Sequence, residues 1–128
     1  MTRALALLAL LALPACRDES LSGFVAPDQA FALREIDGTR FTARATLTFP
    51  EPGRIAGTAP CNSYSGTLTA PYPWFETGAI MATERACPDL AQETAFFAAL
   101  SQMTLAEVSG KLLILSNDAG RQMLFQAP

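Results

Sequence analysis

The chain has 128 residues, with nine Lys or Arg against twelve Asp or Glu, a formal net charge of −3 and no histidine. That length suits one domain and is too short for two. A modestly acidic chain with one lysine and no basic run argues against nucleic acid, whose affinity rests on neutralising phosphates. The missing histidines remove the usual general base and the commonest metal ligand.

At the amino end Arg3 precedes an unbroken apolar run, Ala4 to Leu13, followed by Pro14-Ala15-Cys16. This is the charged, apolar and small-residue layout of a secretory signal peptide. The run is half the roughly 20 residues that a membrane-crossing helix needs. The terminal cysteine resembles that of a bacterial lipoprotein signal, so residues 1–15 are read as the signal and Cys16 as the lipidated residue. The competing reading is an ordinary secreted protein with Cys16 at its cleavage point. Two or more acyl chains hold a protein stably on a membrane where one does not. Arg17, in the place where Asp often signals inner-membrane retention, favours an outer-membrane anchor facing the periplasm. Removing the leader takes Arg3 with it and moves the formal net charge from −3 to −4.

Residues 16–27 read as a lipidated tether, polar and punctuated by Gly23 and Pro27. The domain is expected over 28–128. Phe31–Ile36 reads as a strand, and Asp37-Gly38 is the strongest short hairpin signal. Phe41, Ala43, Ala45, Leu47 and Phe49 alternate with polar residues, which predicts one half-buried antiparallel strand. Pro50–Gly53 makes a turn. Arg54–Thr58, Tyr64–Thr69 and Phe75–Met81 follow as strands, with the proline-bearing Ala70–Trp74 as an edge or loop.

One segment has a different period. Asp89 with Gln92 three places on has the form of a capping box. Leu90, Phe96, Phe97, Leu100 and Met103 recur at helical spacing, giving one amphipathic helix of about fourteen residues. Thr104–Val108, Lys111–Leu115 and Gln122–Gln126 close the chain as strands. Leu112–Leu115 is apolar on both faces and is expected to be central. The fold class is therefore α+β and mainly antiparallel β: a small curled sheet or open barrel of seven to eight strands with one inserted helix.

Cys61 and Cys87 are the two cysteines left in an oxidising compartment, and such pairs in small domains most often bond. Two free thiols are the alternative. A redox-active dithiol is disfavoured because reactive pairs usually stand as Cys-x-x-Cys. Zinc would need cysteines and carboxylates at spacings matching no familiar site, so no metal and no cofactor are expected. Glu84 with Asp89 and Glu93 with Glu107 are carboxylate pairs whose convergence a sequence does not reveal.

The remaining cluster is Cys61-Asn62-x-Tyr64-x-Gly66 and then Ala82-Thr83-x-x-Ala86-Cys87. With the helix bearing Glu93 and paired Phe, the following Leu-x-Leu and the terminal Phe125, it resembles the META domain family over about Phe31 to Phe125. That family includes the HslJ-type heat-shock-inducible bacterial proteins, many of them lipoproteins. The chain departs from the family in carrying Thr58-Ala59-Pro60 where a glycine is frequent. It also has Glu84-Arg85 where Arg-Met is common, which moves the arginine by one place and so to the other face. The resemblance implies a small β-rich fold and no established catalytic mechanism.

Read from the residues alone, Asn62 suits a turn by bonding its own backbone, and Gly66 permits close strand approach. Tyr64 can bury its ring and keep its hydroxyl wet. An exposed aromatic beside polar groups is a usual contact patch, so Asn62, Tyr64, Trp74 and Arg85 are the candidate binding residues. The functional expectation is a non-enzymatic envelope lipoprotein with a binding or structural role under stress. Its partners are the membrane, through Cys16, and an envelope protein or ligand not identified by sequence, on a monomeric domain. The alternative is a cell-wall-directed enzyme, or a regulator of one, with a carboxylate cleft.

Overall fold

A computed structural model describes residues 19–128, so the leader and Cys16 lie outside the described residues. The first strand and its hairpin form where expected. β1 (Phe31–Ile36) turns through Asp37 (φ +53°) and Gly38 (φ +77°) into β2 (Thr39–Arg40), with Ile36 opposite Thr39. Positive φ at both central residues is what a two-residue turn matched to strand twist requires.

The strand expected from Phe41 to Phe49 is broken. The chain leaves the ladder after β2 and returns only as β3 (Thr46–Leu47), which pairs with β1. Its burial still alternates: Ala45, Leu47 and Phe49 are buried while Thr42 and Arg44 are exposed. The apolar pattern fixed which side chains face inward without fixing the backbone pairing.

β4 (Arg54–Thr58), β5 (Ser63–Leu68) and β6 (Thr77–Ala82) form an antiparallel three-stranded sheet in that order. α1 (Leu90–Gln102) follows, then β7 (Leu105–Ser109), β8 (Leu112–Ser116) and β9 (Gln122–Gln126). The larger sheet runs β2-β1-β9-β8-β7, with β3 also on β1, and every pairing is antiparallel. β8 lies between β7 and β9, as its apolar run predicted, but only Leu113 and Leu115 are fully buried while Leu112 faces outward. The fold class is α+β, mainly antiparallel, with one α-helix and open sheets among the described residues. Among the described residues nine strands replace the expected seven to eight, largely because one expected strand became two.

One buried cluster joins both sheets and the helix, with Phe31, Phe49, Phe96, Phe125, Ile55 and Leu113 among its fully buried members. The tether reading changes within the described residues. Leu21–Gly23 is a single 3₁₀ turn with Leu21 fully buried, Phe24 lies on the Tyr72 ring at 4.5 Å, and Tyr72 N–H donates to Glu19 O (2.9 Å). Leu21 and Val25 are buried in the core, which removes their apolar surface from water, so the segment from Glu19 onward belongs to the folded unit.

Candidate functional site

The Cys61-Asn62-x-Tyr64-x-Gly66 run enters β5 and faces two other segments, Thr83–Cys87 and α1. Cys61 and Cys87 are disulfide-bonded, with Cα atoms 5.5 Å apart. Directly beside that staple sits Asn62, 7% exposed. Its Oδ1 accepts from Arg85 N–H (2.6 Å) and Thr83 Oγ1 (2.9 Å), and its Nδ2 donates to Arg85 O (3.0 Å) and to Glu93 Oε2 (2.7 Å). Those four bonds satisfy its full side-chain amide inventory of two acceptor and two donor contacts. Glu93, 5% exposed on α1, also accepts at Oε1 from Cys61 N–H (3.1 Å) and Asn62 N–H (2.9 Å). A buried carboxylate is tolerated only when several donors face it; here three do.

Sequence reasoning placed Glu93 in a carboxylate pair and missed its part in this network. The usable signal is its position: Glu93, Phe96, Phe97 and Leu100 follow the i, i+3, i+4, i+7 stripe, so the carboxylate belongs to the inward face of α1. Leu90, expected on that stripe, is 44% exposed. The capping box does not form. Asp89 makes no side-chain cap bond, and Gln92 Nε2 instead donates to Thr42 Oγ1 (3.0 Å).

Asn62 does not bond its own backbone as expected from turn chemistry. Its carbonyl closes the turn by accepting from Ala59 N–H (2.7 Å), while its side chain spans to β6's exit and to the helix. Tyr64 likewise differs from expectation. It is 4% exposed, its ring is edge-on to Phe96 and Phe97, and its hydroxyl donates to Thr46 O (2.6 Å). Burial raises the phenol well above its ordinary value near 10, so the proton stays on the donor. Thr46 is thus where the two sheets meet: Thr58 N–H donates to its Oγ1 (3.0 Å), and Thr48 and Ala56 bridge beside it. Gly57 makes this possible, since a Cβ there would overlap Thr46 O and lie 2.9 Å from the Tyr64 hydroxyl. Gly66 packs as expected: a Cβ would meet Ala79 O and Ile80 Cγ1 at 3.2 Å.

The four residues proposed as a contact patch therefore do not share a surface. Asn62 and Tyr64 are internal and spend their polar atoms on the protein, because each bridges segments that would otherwise bury unpaired backbone groups. Arg85 clasps Asn62 with its backbone while the residue is exposed. Trp74 is 57% exposed and lies along β7, bridging Leu105. Glu107 stands exposed on β7. Among the described residues there is no cluster of three or more Cys, Asp or Glu able to hold a metal ion. Chemically, this constellation holds β5, the Thr83–Cys87 segment and α1 in one geometry, by a covalent bond and a saturated polar network.

A family model described as META domain matches residues 24–128. The fold is similar to that of a protein from Burkholderia xenovorans solved by NMR, with a TM-score of 0.66, 21% identity, and coverage of 91% of this chain and 93% of that one. A second NMR structure matches at TM-score 0.61 and 19% identity, covering 78% and 89%. A crystal structure of a DUF4847 family protein from Bacteroides vulgatus matches at 0.55 and 16%, covering 64% of this chain and 57% of that one. At these identities the likeness is one of fold. No curated protein matches the chain.

Proposed function

The chain belongs to the META domain family, and from that premise we propose that it is a non-enzymatic lipoprotein of the cell envelope, acting by binding or structural support under envelope stress. Lipid on Cys16 anchors it to the outer membrane, and the domain stands in the periplasm. The observation that carries this reading is the Cys61–Cys87 bond, which leaves Cys16 as the third cysteine, at the end of an apolar leader. Disulfides persist in oxidising compartments. Supporting it, the most distinctive motif of the chain is spent on holding segments together.

The competing reading, a cell-wall-directed enzyme or enzyme regulator, needs two carboxyls converging at about 5–9 Å in a cleft. Glu93, the buried carboxylate, already accepts three hydrogen bonds from the protein. Labelling expressing bacteria with radioactive palmitate, followed by separation of inner and outer membranes, tests the anchor. The expected result is labelled protein in the outer membrane and loss of label in Cys16→Ser. Unlabelled protein released from the periplasm as a soluble species overturns the lipoprotein reading.

A further inference from the structure

We propose that Arg34, Arg40 and Arg44 form a binding site for a phosphate-class oxyanion, in the depression where the chain leaves the ladder between β2 and β3. No breaker in the local sequence explains that departure, although Gln92 Nε2 on α1 holds Thr42 Oγ1 within it (3.0 Å). No Gly or Pro lies between Thr39 and Phe49, and the apolar alternation continues through it. Phe41 N–H still donates to Arg34 O (2.8 Å) and Leu33 N–H to Ala45 O (2.9 Å), so the excursion is pinned at both ends and opens between them. β1 is irregular at the same place. Leu33 pairs with Phe125 and Glu35 with Leu124, which makes Arg34 the extra residue of a β-bulge. Bulges re-aim side chains and recur beside functional sites, and a local rule broken without a local cause marks such sites.

The opening measures about 280 Å³ and is lined by the three arginines together with Phe41, Thr42 and Ala43. Seven basic residues fall in 19–128, and three of them line this one opening in an acidic protein. Arg54 and Arg121 are paired with Glu51 and Asp37. Among the described residues no carboxylate lies within 4 Å of Arg34, Arg40 or Arg44. Glu35 stands opposite Arg40 in the ladder without forming an ion pair. Three like charges around one opening repel until an anion joins them. The N–H groups of Thr42, Ala43 and Arg44 have no acceptor among the described residues, which adds neutral donors to the charged ones. Guanidinium forks match pairs of oxygens, and three forks exceed the two oxygens of a carboxylate but suit the tetrahedral oxygens of a phosphate. Free phosphate and the headgroup of an anionic phospholipid present the same chemistry.

The site does not depend on the lipid anchor, so it is tested on full-length Cys16→Ser protein titrated with inorganic phosphate at low salt and followed by amide NMR. Saturable shifts confined to Thr42, Ala43, Arg44 and the Arg34 bulge are expected, weakening as salt screens the charges. Each of Arg34→Gln, Arg40→Gln and Arg44→Gln should weaken binding on the order of tenfold, as loss of a charge-assisted hydrogen bond does. Arg85→Gln should leave it unchanged, and Glu35→Gln should tighten it. Co-flotation with phosphatidylglycerol vesicles against pure phosphatidylcholine vesicles identifies the source: retention on the former, displaced by phosphate, assigns a lipid headgroup. Phosphate binding without retention assigns a soluble phosphate. Scattered or unsaturable shifts, or unchanged affinity in a well-dispersed triple variant, overturn the site.

Discussion

Glu93→Ala should be among the most damaging single substitutions in the domain. It removes both acceptor oxygens and orphans three donors: the N–H groups of Cys61 and Asn62 and the Nδ2 of Asn62. A hydrogen bond to a charged group contributes roughly 1.5–3 kcal/mol, and an orphaned buried donor costs about as much. Three such losses share one site and one relaxation, so they do not add; about 4 kcal/mol is the expected total. Against a typical domain stability of about 5–15 kcal/mol, this lowers the melting temperature by about 15 °C. Glu93→Gln is the informative companion. Its amide oxygen can keep the two backbone N–H bonds, but its amide nitrogen then faces Asn62 Nδ2, donor against donor. Asn62 does not relieve this by flipping, because its Oδ1 is held by Thr83 and Arg85. The expected cost is about 2 kcal/mol. Urea unfolding followed by far-ultraviolet circular dichroism measures both. Equal losses in the two variants, or a loss below about 1 kcal/mol in Glu93→Ala, would refute the network as a keystone.

Four further outcomes are expected elsewhere in the fold. Reduction of Cys61–Cys87, whose cysteines are 26 residues apart, should lower stability by about 3.5 kcal/mol on chain-entropy grounds; calorimetry with and without reductant reads it. Tyr64→Phe should cost about 1–2 kcal/mol by leaving Thr46 O unpaired, while Gly57→Ala should cost more by forcing β3 from β4, both measured by denaturant midpoint. Asp37 is held below its ordinary value near 3.8 by the Gln122 N–H and then by Arg121. A carboxylate with a depressed folded pKa contributes stability that is present above 3.8 and lost as pH falls through the folded value. Stability curves of wild type and Asp37→Asn should therefore converge below that pH, and curves that stay parallel would sink the assignment.

Much of the architecture was legible because it depends on local rules. The Asp37-Gly38 hairpin, the limits of β4, the helix after Asp89 and the centrality of β8 all follow from turn chemistry and periodicity. The site was legible only as a set of residue types. Asn62, Cys61 and Cys87 stood out, but Asn62's partners lie 21 to 31 residues away in sequence, and no period connects them. Tyr64 was open to two readings because its ring and its hydroxyl prefer different surroundings, and only the position of Thr46 O decided between them.

By itself the sequence determined the α+β class and the order of most elements, since each rests on composition or on neighbours close along the chain. The tertiary structure alone decided that Glu93 and Asn62 form one saturated network, that Asn62 and Tyr64 are internal while Trp74 is exposed, and that three arginines surround one break in the ladder. Those outcomes depend on which distant segments meet, and long-range contacts of that kind leave no periodic mark on the residues that make them.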